Sequence, residues 1–267
     1  MAEPISPAQV WTQGALYESY VGRWSRLVAR EFLQWLDVRQ NKRWLDVGCG
    51  TGVITQTILE TVAPEAVVGI DRSEQIVAYA RERVNDARAQ FRVGDAQELK
   101  AERGAFDAVV SGLVINFVAS PERMVTEMAR ACRLSGRVGL YVWDYAGEMQ
   151  LMRHFWDAAT ELDPAANGLD EAVRSPVANP KRLWNLFLDA GLNDVVTRAI
   201  DVPTHFENFD DYWNPFLSGQ APAPHYAMSL SEEKRAALRE RIRAQLPHNA
   251  DGSIDLIARA WAVKGTR

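Results

Sequence analysis

The chain has 267 residues, of which 47% are hydrophobic, and its formal net charge at pH 7 is −5. This length allows one α/β domain with additions or two small domains, and the composition is that of a globular protein with a full core. The acidic balance argues against a broad nucleic-acid-binding surface, which needs a concentrated excess of Lys and Arg. The two cysteines, Cys49 and Cys132, cannot form a zinc cluster or a disulfide framework, so we expect no metal site.

The first residues lack the basic segment and following apolar run that mark a secretory signal. No window of the sequence approaches the roughly eighteen apolar residues that a membrane-spanning helix needs. We therefore expect a cytoplasmic protein without a membrane span.

The first predicted elements are a helix, a strand and a second helix. Apolar residues recur at three- and four-residue spacing within residues 15–37, which predicts the first helix. A short apolar run at 43–47 predicts the strand. An amphipathic pattern that begins at Val53 and extends to about residue 62 predicts the second helix.

Three glycines, Gly48, Gly50 and Gly52, lie between this strand and the second helix. Glycine adopts positive φ and lets the backbone approach a ligand closely, and the helix start offers free N–H groups and the positive end of its dipole. The loop should therefore hold a polar part of a nucleoside-type cofactor. A dinucleotide-binding loop needs glycines at spacing two and then three, whereas the pattern here is GxGxG, which disfavours a nicotinamide cofactor.

Two more short strands end in acidic residues. The apolar run 67–70 ends at Asp71, nineteen residues after Gly52. Residues 91–96 read Phe-Arg-Val-Gly-Asp-Ala, with Asp95 at the strand end. An acid at the tip of the second strand suits the paired hydroxyls of a ribose. Because an acid after a strand is also a frequent turn-former, capping of the following helix stays an alternative for Asp71.

The remaining elements follow from apolar patterns and capping residues, and the regular alternation of strand and helix ends after residue 143. In chain order we predict a strand at 106–111, a helix from Ser120-Pro121, a strand at 138–143, a helix at 147–162, an irregular segment at 163–178, a helix from Asn179-Pro180 to Gly191, a strand at 195–202, an aromatic loop at 205–226, a helix begun by Ser229 and Glu232, and a last strand at 252–263.

Taken together, the glycine loop and the two acid-tipped strands resemble the class I S-adenosylmethionine (SAM)-dependent methyltransferases. The similarity is to the small-molecule branch that includes the ubiquinone/menaquinone C-methyltransferases, and it is dense over residues 40–145. It implies an α/β, Rossmann-like fold with a seven-stranded, mostly parallel sheet, an antiparallel last strand and a helical cap. The implied organisation is one domain, 1–267, with a core of about 40–145, 190–202 and 252–265, and a cap of about 11–37, 146–178 and 203–250.

The resemblance implies transfer of a methyl group from SAM to a small organic acceptor. Several aromatic residues in the cap segments favour an aromatic or amine acceptor. The acidic charge balance disfavours a nucleic acid as partner. A catalytically inactive protein that binds SAM or a nucleoside is one alternative, because no general base is visible. An NAD-dependent oxidoreductase is the weaker alternative.

The same resemblance assigns the methionine end of the cofactor to the glycine loop. The backbone of Gly48, Cys49 and Gly50 would pass under the methionine part. Asp46 would orient either the loop or the cofactor's ammonium group. Arg23 would pair with the cofactor carboxylate, and its alternative is an exposed helix cation.

The adenosine end falls, by the same resemblance, on the next strand ends. Asp71 would accept from both ribose hydroxyls, and Arg72 would lie along one adenine face. Asp95 and the Ala96 N–H would bond the adenine edge. Ser111, leaving the fourth strand, would lie beside the methionine part.

The candidates on the acceptor side are weaker. Possible catalytic groups are Asp144 just after the fifth strand, Asn116 at a place where related sequences often carry His, and His154 in the cap. A lone histidine is more often structural, and an amide can hold a hydroxyl or a carbonyl but cannot act as a base at neutral pH. The residues that we expect in the acceptor pocket are Tyr17, Tyr20, Trp143 and Trp213.

Overall fold

A computed structural model of the protein describes residues 22–219 and 221–267, apart from the side chain of Arg23. The described residues divide into two compact units. The sheet unit comprises Ser25–Trp143, Val177–Ile200 and Ala260–Arg267. The accessory unit comprises Asp144–Pro176 and Asp201–Arg259, together with residues 22–24.

Helices and strands alternate in the first half of the chain, and helices predominate in the second half. In chain order the elements are α1 (Arg23–Leu36), β1 (Arg43–Val47), α2 (Val53–Thr61), β2 (Ala66–Asp71), α3 (Glu74–Arg83), β3 (Ala89–Val93), β4 (Phe106–Gly112), α4 (Pro121–Ala131), β5 (Cys132–Trp143), α5 (Gln150–Leu162), α6 (Glu171–Arg174), α7 (Pro180–Asp189), β6 (Asn193–Phe206), α8 (Phe209–Trp213), α9 (Pro222–Ser229), α10 (Glu232–Gln245) and β7 (Ile254–Thr266). Short 3₁₀ helices lie at Ile115–Phe117, Pro164–Leu169 and Asn214–Leu217.

The seven strands form one sheet in the order β3-β2-β1-β4-β5-β7-β6. Neighbouring strands from β3 to β5 are parallel, whereas β7 pairs antiparallel with β5, from Arg137 opposite Thr266 to Trp143 opposite Ala260. The predicted mostly parallel sheet with an antiparallel last strand is thus confirmed. The strand order reverses between β1 and β4, and a crevice outside the carboxyl ends of the strands is expected at such a switch point.

Burial in the sheet unit explains why the strands were recognisable. Trp44, Leu45 and Val47 of β1 are fully buried, as expected for a parallel strand that is covered on both faces. α1 covers part of one face, and the ring of Phe32 lies 5.0 Å from that of Tyr141 on β5. The part of the predicted first helix that the structure describes is therefore confirmed, and residues 15–21 lie outside the described residues.

Capping bonds confirm the helix starts predicted at Ser120 and Asn179, and a bond of the same kind begins α3. The Ser73 hydroxyl accepts from the N–H of Ile76, and the Ser120 hydroxyl accepts from that of Arg123. The side-chain oxygen of Asn179 accepts from the first turn of α7. In each case a short polar side chain satisfies an N–H group that lacks a partner within the helix.

The predicted helix start at Ser229 and Glu232 is wrong. Ser229 is the last residue of α9, and its hydroxyl donates to the carbonyl oxygen of Tyr226. Ser231 caps α10 instead, where its hydroxyl accepts from the N–H of Lys234. The error arose because the segment predicted as an aromatic loop is itself partly helical, and two serines lie close together at the junction.

The accessory unit has an aromatic core. The rings of Phe155 and Phe216 stack with their centroids 4.5 Å apart. The indole Nε1 of the buried Trp156 donates to the carboxylate of Glu171, which is buried as well. Burial raises the pKa of Glu171 to about 7, and the bond from Trp156 opposes this shift.

No described helix is both long and apolar enough to cross a membrane.

Asp107 joins the starts of three strands at the amino end of the sheet. Its Oδ2 accepts from the N–H of Arg43 at 2.9 Å, and its Oδ1 lies 2.6 Å from Nε of Arg133 and 3.5 Å from Nζ of Lys42. Asp107 itself is the second residue of β4. Its bonds extend to β1 and β5 as well.

Replacing Asp107 with Ala should lower the free energy of unfolding by about 2 kcal/mol, because an N–H group and two cations lose their acceptor. Asp107→Asn keeps an oxygen for the Arg43 N–H and should lose less. Chemical denaturation followed by circular dichroism measures both. Glu65→Ala, which removes an exposed acid from the same unit, is the control and should stay within about 0.5 kcal/mol. A loss for Asp107→Ala no larger than that of the control would contradict the assignment.

Candidate functional site

The glycine loop is built on left-handed backbone. Gly48, Gly50 and Gly52 have φ values of 71°, 51° and 85°, a region that residues with a Cβ rarely adopt. A Cβ on Gly48 would also overlap the side chain of Val114. At Gly50, by contrast, no heavy atom of the described chain lies within 4 Å of the Cβ position. The space above the middle of the loop is therefore open to a ligand.

The loop is fixed to the end of β2. The N–H groups of Gly48 and Cys49 both donate to the carbonyl oxygen of Ile70, at 2.7 and 2.9 Å. The N–H of Gly50 donates to Oδ2 of Asp71 at 3.1 Å. Three consecutive N–H groups are therefore held by two residues of the neighbouring strand.

Asp71 has a turn-forming role as well as this contact with the loop. Its Oδ1 accepts from the N–H of Ser73 at 3.0 Å, while Ser73 itself is the cap of α3. Helix capping alone does not account for the bond from Asp71 to Gly50. A carboxylate has about four acceptor positions, so both bonds leave capacity for ligand hydroxyls.

Asp46 is a fully buried acid within the otherwise apolar β1. Its Oδ2 accepts from both the N–H and the hydroxyl of Thr55, at 3.1 and 2.8 Å, which ties β1 to the first turn of α2. Its Oδ1 has no hydrogen-bond partner among the described residues. Burial raises the pKa of Asp46 to about 7, with a smaller contribution from Asp71, while the bonds from Thr55 lower it.

The thiol of Cys49 is buried between these acids. Burial raises its pKa well above the ordinary range, and the charges of Asp46 and Asp71 act in the same direction. The thiol is therefore protonated at neutral pH and is a poor nucleophile.

The end of β3 is hydrogen-bonded to the end of β2. The N–H of Gly94 donates to the carbonyl oxygen of Asp71 at 2.9 Å, so the ends of β1, β2 and β3 are connected by hydrogen bonds. Asp95 is exposed and accepts from the N–H of Gln97 at 2.8 Å. Arg72 is exposed as well, and Ala96 is half-buried.

At the end of β4, the side chain of Ser111 makes a hydrogen bond within the protein. The buried hydroxyl of Ser111 donates to the carbonyl oxygen of Val47 at 2.6 Å, so it joins the ends of β4 and β1. Leu113 has a left-handed φ of 62°, which is uncommon for a residue with a branched side chain. This turn brings Val114 against Gly48. No sequence pattern had indicated Leu113 or Val114, since two apolar residues after a strand carry no distinctive signal.

The acceptor-side candidates of the sheet unit lie near the same ends of the strands. Trp143 is the last residue of β5 and is 2% exposed, and its indole N–H has no hydrogen-bond partner among the described residues. Asn116 is half-buried in the 3₁₀ helix Ile115–Phe117. Tyr17, Tyr20 and the side chain of Arg23 lie outside what the structure describes.

Three further candidates belong to the accessory unit. The carboxylate of Asp144 accepts from the N–H of Glu148 at 3.0 Å and so closes the turn before α5. His154 is half-buried on α5, and burial lowers its pKa. Trp213 is buried, with its ring parallel to that of Phe209.

No group of three or more His, Cys, Asp or Glu side chains in the described part of the chain is arranged to hold a metal ion.

The raised pKa of Asp46 predicts a specific pH dependence of stability. Between the ordinary pKa of 3.8 and the folded value of about 7, the unfolded chain ionises this carboxyl and the folded chain does not, so rising pH destabilises the fold. Asp46→Asn removes the titration and keeps an oxygen for Thr55. From pH 4 to pH 7 its stability relative to the original protein should therefore rise, by at most about 4 kcal/mol.

Denaturation curves at several pH values test this. Glu82→Gln, an exposed change on α3, should follow the curve of the original protein throughout. Parallel curves for Asp46→Asn and the original protein would show that Asp46 ionises normally in the fold.

Comparison with known proteins agrees with this geometry. Residues 45–140 match a family model described as a methyltransferase domain. A phosphatidylethanolamine N-methyltransferase of Cereibacter sphaeroides is 37% identical over 46% of this chain and 61% of its own length. A demethylmenaquinone methyltransferase of Symbiobacterium thermophilum is 33% identical over 43% of this chain and 48% of its own. The chain spans about half the length of the curated relatives that it matches.

Solved structures share the fold at low sequence identity. Phosphoethanolamine N-methyltransferase 2 of Haemonchus contortus, in complex with S-adenosyl-L-methionine, matches with a TM-score of 0.62 and 16% identity over 99% of this chain and 60% of that one. The YcgJ protein of Bacillus subtilis matches with a TM-score of 0.58 and 17% identity over 92% and 98% of the two chains. The match to a methyltransferase domain thus covers residues 45–140, and the chain shares the fold of these solved structures.

Proposed function

We propose that the protein binds SAM at the joined ends of β1, β2 and β3 and transfers its methyl group to a small organic acceptor. The observation that carries this proposal is the bond from the Gly50 N–H to the carboxylate of Asp71. It connects the glycine loop with the acid expected to hold the ribose. This bond therefore joins the two parts of the proposed cofactor site directly.

The polar groups available at this place suit the cofactor. SAM offers hydrogen-bond donors at its ammonium group and at two ribose hydroxyls. The chain offers acceptors in Asp71 and in Oδ1 of Asp46, which has no partner among the described residues. The open space above Gly50 gives a ligand room to approach the backbone. These features support the proposal, and the roles of Arg72, Asp95 and Ala96 remain predictions within it.

Bound SAM supplies a methyl group on a positively charged sulfur, which a nucleophile displaces in line. The protein's contribution is to hold the reacting atoms about 3 Å apart in that line and to exclude water as the charge is dispersed. An aromatic side chain such as Trp143 at the end of β5 would contact an aromatic or amine acceptor. An acceptor that is already nucleophilic needs no general base, so Asp144, Asn116 and His154 enter only if a proton must be removed.

The names of the relatives support a small acceptor. They include a phosphatidylethanolamine, a demethylmenaquinone and a nocamycin methyltransferase, and also a tRNA and a ribosomal protein methyltransferase. The net charge of −5 disfavours a nucleic-acid acceptor. We therefore propose a small molecule, rather than a nucleic acid or a protein, as the methyl acceptor.

Asp71→Asn should weaken the binding of S-adenosylhomocysteine by roughly 10- to 100-fold, because a charged acceptor for two hydroxyls becomes a neutral one. Isothermal titration calorimetry measures the affinity, and the unfolding temperature checks that the loop is intact. Glu74→Gln, an exposed change at the start of α3, is the matched control and should bind normally. Unchanged affinity in Asp71→Asn would remove the basis of the proposed site.

Activity requires a separate experiment. The protein is incubated with SAM carrying a labelled methyl group and with a metabolite extract, and labelled products are separated by chromatography. Label in a small molecule, absent from a sample with Asp71→Asn, is the expected result. Tight binding of SAM without transfer to any acceptor would support the inactive binding protein. Thermal stabilisation by NAD but not by SAM would support the oxidoreductase.

A further inference from the structure

The outer edge of β6 in the sheet unit is exposed. β6 is the last strand in the sheet order, so one side of its backbone has no neighbouring strand among the described residues. From Asn193 to Ala199 none of its residues is buried. Such an edge presents N–H and C=O groups that can pair with another strand, and natural proteins normally protect it.

One face of this edge carries a self-complementary pattern. Asp194, Val196 and Arg198 are exposed. The alternation of side chains along a strand places Val196 and Arg198 on the same face, and Asp194 lies two residues before Val196 with a left-handed φ of 51°. They read acid, apolar, base. The Val196 side chain is 47% exposed, which is unusual for a strand residue of its type.

The geometry points to a two-fold dimer of this chain in which the β6 edges of two copies pair antiparallel about Val196. In such a pair, a residue that lies a given number of positions before Val196 faces the residue of the other copy that lies the same number of positions after it. Asp194 of each copy then faces Arg198 of the other, and the two Val196 side chains meet on the axis. Opposite charges that face each other across strands are stabilising, and like charges in that position are destabilising.

The same charges reject other alignments. Pairing centred on Arg198 would set two guanidinium groups against each other, and pairing centred on Asp194 would set two carboxylates together. Because a shift along the strand loses both favourable pairs, the charges select one register. Asp194 has a left-handed φ of 51°, and the long side chain of Arg198 supplies the reach that this turned backbone requires.

An apolar surface borders the same edge. Trp184 and Leu188 are 40% and 41% exposed and lie one turn apart on α7. The indole Nε1 of Trp184 donates to the carbonyl oxygen of Val195 at 3.2 Å, which locates this surface beside β6. A carbonyl oxygen accepts two hydrogen bonds, so this contact is compatible with strand pairing. A two-fold axis perpendicular to the sheet brings the two α7 helices together on one side.

The interface is short, and interfaces of small area are weak. We therefore expect dissociation in the micromolar range rather than a permanent dimer. Sedimentation equilibrium of the full chain, from low to high micromolar concentration, measures it. A protein that stays monomeric throughout, or that self-associates without any dependence on these residues, overturns the inference.

A charge exchange gives the sharpest test. Arg198→Asp alone and Asp194→Arg alone each create two like-charge pairs and should weaken dimerisation by roughly ten-fold or more. The double exchange restores both pairs and should recover the affinity to within a few-fold. Failure of the double variant to recover, with a native circular dichroism spectrum, overturns the inference in favour of a different partner for this edge.

Two further variants provide a control and an independent test of the proposed dimer. Arg92→Asp makes the same charge reversal on β3, the opposite edge strand, and should leave dimerisation unchanged. Because the left-handed backbone at Asp194 tolerates Asp better than Arg, Val196→Lys provides an independent arm. It places two cations on the axis and should weaken the dimer by roughly ten-fold or more. An unchanged dimer in Val196→Lys would exclude the proposed axis.

Discussion

The structure of the candidate site depends on one set of contacts, the hydrogen bonds that fasten the glycine loop to the end of β2. Gly48, Cys49 and Gly50 direct successive N–H groups at Ile70 and Asp71. This requires left-handed backbone, which glycine adopts at little cost. With the loop held in this way, α2 begins at a fixed place, and Thr55 in its first turn donates two hydrogen bonds to Asp46.

Asp46 illustrates how a polar site is maintained within a core. A carboxyl without solvent is costly to ionise, and the two bonds from Thr55 offset only part of that cost. The result is an acid that ionises near neutral pH beside a loop that we propose to hold a charged cofactor. Its stabilising contacts and its proposed chemistry draw on the same few atoms, so changes to one should affect the other.

Local patterns predicted the elements well. β1 was predicted with its observed bounds, Arg43–Val47, because a buried parallel strand leaves a short, mainly apolar run, which here is followed by glycine. Prediction was poorer where two signals of the same kind lie close together, and Ser229 was chosen as a cap where Ser231 acts. The sequence pattern alone contained no means of distinguishing these two serines.

Sequence patterns identified candidate site residues better than they predicted the hydrogen bonds between them. Asp71 was identified from its place at a strand end, but its bond to Gly50 joins residues 21 positions apart and depends on strand register. The bond of Ser111 to the backbone of Val47 and the left-handed turn at Leu113 depend on the β1–β4 pairing in the same way.

If the glycine loop holds SAM as we propose, the burial of Cys49 has a chemical consequence, because SAM is an alkylating agent. A free thiolate next to a reactive methyl donor would be modified by it, and each such event would inactivate one molecule irreversibly. Burial and the neighbouring carboxyl groups keep the sulfur protonated. The loop can thus use a small, well-packed residue at this position without becoming a target of its own reagent.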